Sequence, residues 1–392
     1  MKVCAVVSEF NPFHNGHKYL LSELRKGGFD TVVCIMSGNF VQRGEYAVLD
    51  KKIRAAMAVE SGADLVLSLP FPWSCASAEL FASGAVSILN SLGCIDGIGF
   101  GTECGDIGLL GKCASFLAGC DRSVITDLQK SDPKLSFAQA RAILAQRELG
   151  DEACALFSRP NDILAIEYMK ALCKSNSQIL YYPVKREEAS HDGKISSSEM
   201  CSSSVIRKMF DSGKLDEISD FVPWDSSAVK DKILKLDMMA YFNFLRGAVL
   251  SRKPEELANF AENGGGFEYA LYREMLVSKD YGTLFESLRT RHLTDAKIRR
   301  ALLFTALGVK KEVFADNPEF TEVLSCNDKG KELLKQCRKT SSISILSKIA
   351  NIKYASDKAK EQFKLQRTSE IAFETLLLNN NSCKLQRNGE LK

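Results

Sequence analysis

A chain of 392 residues with 45% apolar side chains can fill real cores, which argues against a disordered or fibrous protein. The net charge of +3 is the remainder of two unlike halves: 23 Lys and Arg against 27 Asp and Glu before Asp225, then 29 against 22 from Asp225 onward. Thirteen scattered cysteines without a Cys-x-x-Cys pair argue against a disulfide framework or a zinc site, and no apolar run reaches the roughly 18 to 20 residues that span a bilayer. The expectation is a cytoplasmic protein with reduced thiols and no membrane contact.

In chain order, the first eight residues read as a strand rather than a signal peptide, because the apolar run is short and a turn follows it. Short β-rich runs at 3–7, 31–36, 65–69, 95–100 and 178–184 alternate with helical patterns at 17–26, 51–61, 76–92, 135–149 and 161–175. This alternation predicts right-handed crossovers and an α/β, Rossmann-like, doubly wound parallel sheet over residues 1–220, with ligands at the carboxyl ends of the strands. From about residue 221 helical periodicity takes over, at 227–250, 268–277, 284–291, 295–307 and 332–352. Residues 221–392 are therefore expected to form a helical, basic second domain. Its positive charge fits a polyanionic partner such as RNA, the alternative being an ordinary solvated helical surface.

The turn after the first strand is the richest segment: Val7, Ser8, Glu9, Phe10, Asn11, Pro12, Phe13, His14, Asn15, Gly16, His17, Lys18, Tyr19 and Leu20. His14 and His17 stand three apart, on one face of a starting helix. Free N–H groups and the helix dipole at such a start attract phosphate, and imidazoles can donate to its oxygens, while Gly16 allows close approach to backbone. For either ring alone a cap or a packed core position is the alternative, but two of the four histidines sit here. No third metal ligand stands nearby, so no metal site is expected.

The His14-x-Gly16-His17 element resembles the signature of the nucleotidyltransferase superfamily. Cys201-Ser-Ser-Ser-Val-Ile-Arg207 resembles its second signature, Ile-Ser-Ser-Thr-x-Ile-Arg, with Cys201 for Ile and Ser204 for Thr. More of the first 210 residues is similar to the bacterial tRNA(Met) cytidine acetate ligase family, through Met36-Ser-Gly-Asn-Phe-Val-Gln-Arg-Gly-Glu45, Gly62-Ala-Asp-Leu-Val66, Phe100-Gly-Thr-Glu103, Pro160-Asn-Asp-Ile-Leu164 with Glu167-Tyr168, and Lys185-Arg186 with His191-Asp192. Tyr46 stands where Pro is usual, and extra residues separate Ile195-Ser-Ser-Ser198 from Ser202.

The resemblance implies a nucleotidyltransferase fold and a two-step reaction. Acetate attacks the α-phosphate of ATP to give acetyladenylate, and the acetyl group passes to N4 of the wobble cytidine of elongator tRNA(Met). It implies His14 and His17 as catalytic residues, Mg²⁺ shielding the other phosphates, and ATP contacts from Val7 to Leu20 and from Gly101, Asn161, Arg186, Ser203, Ser204 and Arg207. Each contact has a plainer alternative: a strand-end turn for Gly101, an N-cap for Asn161, an exposed ion pair for Arg186, and a serine-rich cap with a surface Arg for Ser203, Ser204 and Arg207. Ser37-Gly-Asn39 could shape the acetate pocket or only turn the chain. Loss of tRNA binding on charge reversal at Arg299 and Arg300, with acetyladenylate formation unchanged, would separate the ligase from a metabolite enzyme; which basic side chains touch RNA is left open. The competing functions are an adenylyltransferase acting on a small phosphate-bearing metabolite and a noncatalytic RNA-binding protein.

Overall fold

The structure is a computed structural model and describes residues 1–132, 135–186 and 201–378. Its frame is β1 (Val3–Ser8), α1 (Asn15–Lys26), β2 (Thr31–Ser37), α2 (Lys51–Glu60), β3 (Leu65–Leu69), α3 (Ala78–Leu92) and β4 (Gly97–Thr102). Then come α4 (Ile107–Gly119), α5 (Arg122–Ser131), α6 (Phe137–Leu149), α7 (Asp151–Leu156), α8 (Pro160–Lys174), β5 (Leu180–Lys185), α9 (Ser203–Asp211) and α10 (Leu215–Ile218). Strands β1 to β5 lie within two residues of their expected bounds. β2 and β3 are buried along their whole length, as parallel strands covered on both faces must be. One face is covered by α1, α2 and α9, the other by α3, α4 and α8. α4 escaped the sequence reading because Gly108, Gly111 and Gly119 dilute its helical signal.

The sheet order is β5-β4-β1-β2-β3-β6-β7. From β1 the chain steps outward to β2 and β3, then returns to place β4 on the other side of β1. The topological switch point therefore falls between β1 and β4, where α/β sheets open a crevice.

The second half comprises α11 (Met238–Leu250), α12 (Pro254–Leu257), α13 (Phe267–Val277), α14 (Tyr281–Leu288), α15 (Asp295–Leu307), β6 (Phe320–Cys326), α16 (Asp328–Thr340), β7 (Ser344–Leu346) and α17 (Asp357–Leu376). It is mostly helical, as expected for residues 221–392, but it also adds two strands to the sheet, which the sequence reading did not include. β6 pairs antiparallel with β3, and β7 extends the sheet parallel to β6. Thr321 Oγ1 donates to the Ser68 carbonyl at 2.6 Å, and Ser68 Oγ accepts from the Glu322 N–H at 2.8 Å. The partner of β6 lies some 250 residues earlier, which no local periodicity reveals.

The helices of the second half share a core with loops from the first: Phe40 meets Phe373 at 5.5 Å between ring centroids, and Phe71 meets Phe304 at 5.9 Å. They thus rest on the chain that follows β2 and β3, on the carboxyl side of the sheet.

Candidate active site at the β1/β4 switch point

His14 caps α1, and its Nδ1 accepts from the Gly16 N–H at 3.0 Å; His17 Nδ1 accepts from the His14 N–H at 3.2 Å. This is a reciprocal capping box built from two imidazoles. The rings stack with centroids 3.8 Å apart and an interplanar angle of 28°. With both Nδ1 atoms accepting, the neutral tautomer of each ring carries its proton on Nε2, ready to donate. Burial, reinforced by the positive charge of Arg186, holds His14 down to about 3, and burial, with His14 and Arg186 adding to it, holds His17 well below its usual value. The pair consists of neutral donors, not cations.

Phe10 and Phe13 enclose the pair: the Phe10 ring stands edge-on to His17 at 4.9 Å, and Phe13 lies 5.4 Å away. Phe10 adopts φ +46°, a left-handed conformation unfavourable for a bulky residue, and only 1% of it is exposed. The turn is anchored from outside. Asn11 accepts from the Val48 N–H at 2.9 Å, Trp224 Nε1 donates to the Phe13 carbonyl at 2.8 Å, and Asn15 Nδ2 donates to the Asp220 carbonyl at 3.0 Å. Pro12 is buried, Val7 and Ser8 end β1, Tyr19 and Leu20 pack on the core, and Lys18 is exposed. Burial raises the carboxyl of Glu9, whose Oε1 accepts from the Gln42 N–H at 2.9 Å.

Across the crevice, β4 and β5 bring up a second set. A Cβ on Gly101 would stand 3.3 Å from Arg186 Cγ, so the glycine makes room for the arginine stem. Arg186 Nη1 donates to Asn161 Oδ1 at 3.5 Å, and Asn161 Nδ2 donates to Glu103 Oε1. Asn161 is not the cap expected as its alternative: Arg159 occupies that place and Pro160 opens α8. Asp162, fully buried, accepts from Thr102 Oγ1 at 2.6 Å and the Glu103 N–H at 2.8 Å, locking the end of β4 to α8. Glu103 and Asp162 were present in the sequence motifs, but nothing marked them as the brace behind Asn161. Glu103 Oε2 is buried without a hydrogen-bond partner among the described residues.

The start of α9 shows the serine-rich cap given as the alternative. Ser202, not Ser203 or Ser204, is the cap, its Oγ accepting from the Val205 N–H at 3.4 Å and lying 2.9 Å from Ser204 Oγ. Ser203 is the first helical residue. Arg207 donates to the Asn11 carbonyl at 2.9 Å and to Glu45 at 3.2 Å. Glu45 also pairs with Arg299 at 3.3 Å, and Arg299 donates to the Arg43 carbonyl. Arg300, 6% exposed, pairs with Glu262 at 2.7 Å. Arg300 also donates to the Gln42 carbonyl at 3.4 Å, so both arginines are engaged within the chain and fasten α15 to the loop after β2. His191, Asp192 and Ile195 to Ser198 lie outside the described residues. Among the described residues no group of three or more His, Cys, Asp or Glu could hold a metal ion, and no helix is long and apolar enough to cross a membrane.

A family model described as HIGH Nucleotidyl Transferase matches residues 1–388. The tRNA(Met) cytidine acetate ligase of Acetivibrio thermocellus is 35% identical over 372 residues, covering 90% of this chain and 89% of that protein. The protein of the same name from Clostridium perfringens is 33% identical over 369 residues, covering 90% and 91%. A crystal structure of Thermotoga maritima TmcAL bound with alpha-thio ATP matches with a TM-score of 0.87 at 27% identity, covering 98% of this chain and 97% of that one. Its apo form matches with a TM-score of 0.89 at 26% identity, covering 100% and 98%. With nearly full-length matches in both sequence and fold, this chain belongs to the HIGH Nucleotidyl Transferase family and, within it, to the family of the tRNA(Met) cytidine acetate ligases.

Proposed function

We propose that this chain is an ATP-dependent tRNA acetate ligase that forms acetyladenylate and transfers its acetyl group to N4 of the wobble cytidine of elongator tRNA(Met). The observation that carries this reading is the imidazole pair at the start of α1, fixed by backbone donors as two Nε2–H groups beside the β1/β4 crevice. An acetate oxygen attacks the α-phosphorus, the bond to the β-phosphate oxygen breaks, and pyrophosphate leaves. His14, His17 and the N-terminus of α1 donate to the α-phosphate oxygens as negative charge grows there. Being neutral, the rings do so without trapping the acetate carboxylate as an ion pair. Arg186 supplies the nearby fixed positive charge, and Asn161, braced by Glu103, sits beside it for the nucleotide. Arg207 reaches the triphosphate by exchanging Glu45 for a phosphate oxygen. In the second step the cytidine N4 attacks the acetyl carbonyl carbon, AMP departs with the C–O electron pair, and the amine proton passes to solvent.

Among the described residues there is no ligand cage for Mg²⁺; Mg²⁺ held on the triphosphate would neutralise charge on its oxygens. The basic excess after Asp225 supports tRNA as the partner, and such a partner places the enzyme in the cytoplasm. With Arg299 and Arg300 committed, RNA-facing candidates are exposed side chains such as Arg291, Lys310 and Lys311. The test is incubation with ATP, Mg²⁺ and labelled acetate, with and without bulk bacterial tRNA, followed by nucleoside analysis. ATP-dependent label in N4-acetylcytidine supports the reading. Absence of label in RNA, with pyrophosphate released on some other small substrate, turns it into the metabolite adenylyltransferase.

A further inference from the structure

Arg54, on α2, is fully buried, an unusual place for a guanidinium. Its Nε donates to the Leu49 carbonyl, Nη1 to those of Glu9 and Ser37, and Nη2 to that of Gly38, at 2.5–3.1 Å. Among the described residues no carboxylate hydrogen-bonds to it. All four carbonyls belong to chain leaving the carboxyl ends of β1 and β2. Glu9 directly precedes Phe10 and the turn to His14, while Ser37, Gly38 and Leu49 bracket the loop on which α15 rests.

For stability alone this arrangement is poor. Burying a guanidinium against dipoles costs desolvation free energy, whereas a well-packed apolar side chain of similar volume would gain from the same burial. Its charge survives burial, which brings it down only to about 10, so it stays positive at neutral pH. A planar fork with four fixed donors is also what can hold two strand-end loops at one mutual distance, a task for which lysine lacks the geometry.

We propose that Arg54 is a positioning residue for the nucleotide site: it fixes the β1 turn against the loop after β2 and thereby sets the orientation of His14 and His17 toward the α-phosphate. The proposal rests on the ligase reading for its kinetic arm only. Arg54→Lys keeps the charge and loses the fork; Arg54→Met keeps much of the volume and loses both. Both variants are expected to lower kcat for acetate-dependent pyrophosphate release by about 100-fold, the penalty of a misaligned reacting geometry, with KM for ATP changed less than about threefold. In ¹⁵N spectra of the full chain, the Nε2–H tautomer of both imidazoles should give way to a mixture.

Wild-type kcat and unchanged imidazole spectra in these variants, with only a lower Tm, would overturn the proposal and leave Arg54 a structural residue. Should neither variant fold, the unaltered chain still decides. The Arg54 guanidinium resonances should shift when alpha-thio ATP binds, while those of Arg300 do not, and an unmoved Arg54 spectrum counts against the proposal. If the unaltered chain releases no pyrophosphate with acetate, the ligase reading falls, and the imidazole and guanidinium spectra judge Arg54 without it.

Discussion

The turn after β1 and the start of α9 carry similar equipment, polar side chains at a helix N-terminus, and both resemble phosphate-binding signatures. They differ in what their groups already hold. At the turn, backbone donors occupy the Nδ1 atoms and leave the Nε2–H groups to donate. At α9, Ser202 is spent on capping, and Arg207 is engaged by Asn11 and Glu45. The first region is preorganised for an anion, whereas the second must give up existing bonds to meet one. Electrostatic catalysis depends on donors that need no rearrangement, so the two regions should contribute unequally.

The largest effect should therefore fall on the turn. His14→Ala or His17→Ala is expected to lower acetate-dependent pyrophosphate release by about 10²- to 10³-fold at saturating ATP, as for an oxyanion donor, and to abolish labelled acetylcytidine. A loss confined to KM would mean that the rings only bind ground-state ATP.

Next in size is the clamp between α15 and the loop after β2. Charge reversal at Arg300 leaves the Glu262 carboxylate, 15% exposed, facing another carboxylate, and is expected to cost about 3 kcal/mol of stability. Thermal melts of Arg300→Glu should show that loss. Arg299→Glu sets a carboxylate against Glu45 and frees Arg207 from competition, so the double reversal should impair acetyladenylate formation as well as tRNA binding. Loss of tRNA binding with acetyladenylate formation intact would instead show that the pair faces RNA. A smaller effect belongs to α9 itself: Arg207→Ala should raise KM for ATP about tenfold, and Glu45→Gln, which removes the competing carboxylate, should lower it a fewfold. Equal losses from Arg207→Ala and His14→Ala would erase the distinction between the two regions.

The strands of the parallel sheet were legible because each is a short apolar run closed by turn residues, and the His14 and His17 spacing was legible because helix geometry forces both rings to one end. Less could be read where long-range pairing decides. β6 is a strand because Ser68 and Thr321 meet across the sheet, and Arg54 looks like an ordinary amphipathic-helix residue until four carbonyls from two loops converge on it. Arg299 and Arg300 show the converse limit. Basic composition suggested a nucleic-acid surface, but charge in a sequence carries no record of a partner, and Glu45 and Glu262 are distant in the chain. Asn161 likewise needed the fold, since only Arg159 at the cap and Glu103 opposite its amide show that it is not the N-terminal cap.

The smallest expected effect is in the pH dependence of stability, and it bears on the neutrality of the pair. Burial, first, and the charge of Arg186 hold His14 down to about 3 in the folded chain, against 6.5 when unfolded, and His17 is held low by burial and its two neighbours. Above about pH 6.5 neither state binds these protons, and the stabilisation is complete. Below it the unfolded chain takes them up and the folded chain does not, so stability falls with pH down to the folded value, by roughly 1 kcal/mol per imidazole at about pH 5.5. Glu9, raised by burial, acts in the opposite sense, because its folded form keeps a proton that the unfolded form loses. The difference between the unaltered chain and a His14→Gln, His17→Gln double variant cancels Glu9 and isolates the rings. Melts between pH 7 and 5 should show a steeper decline for the unaltered chain, and parallel curves would mean that the imidazoles are charged when folded, which would overturn the neutral-donor basis of the site.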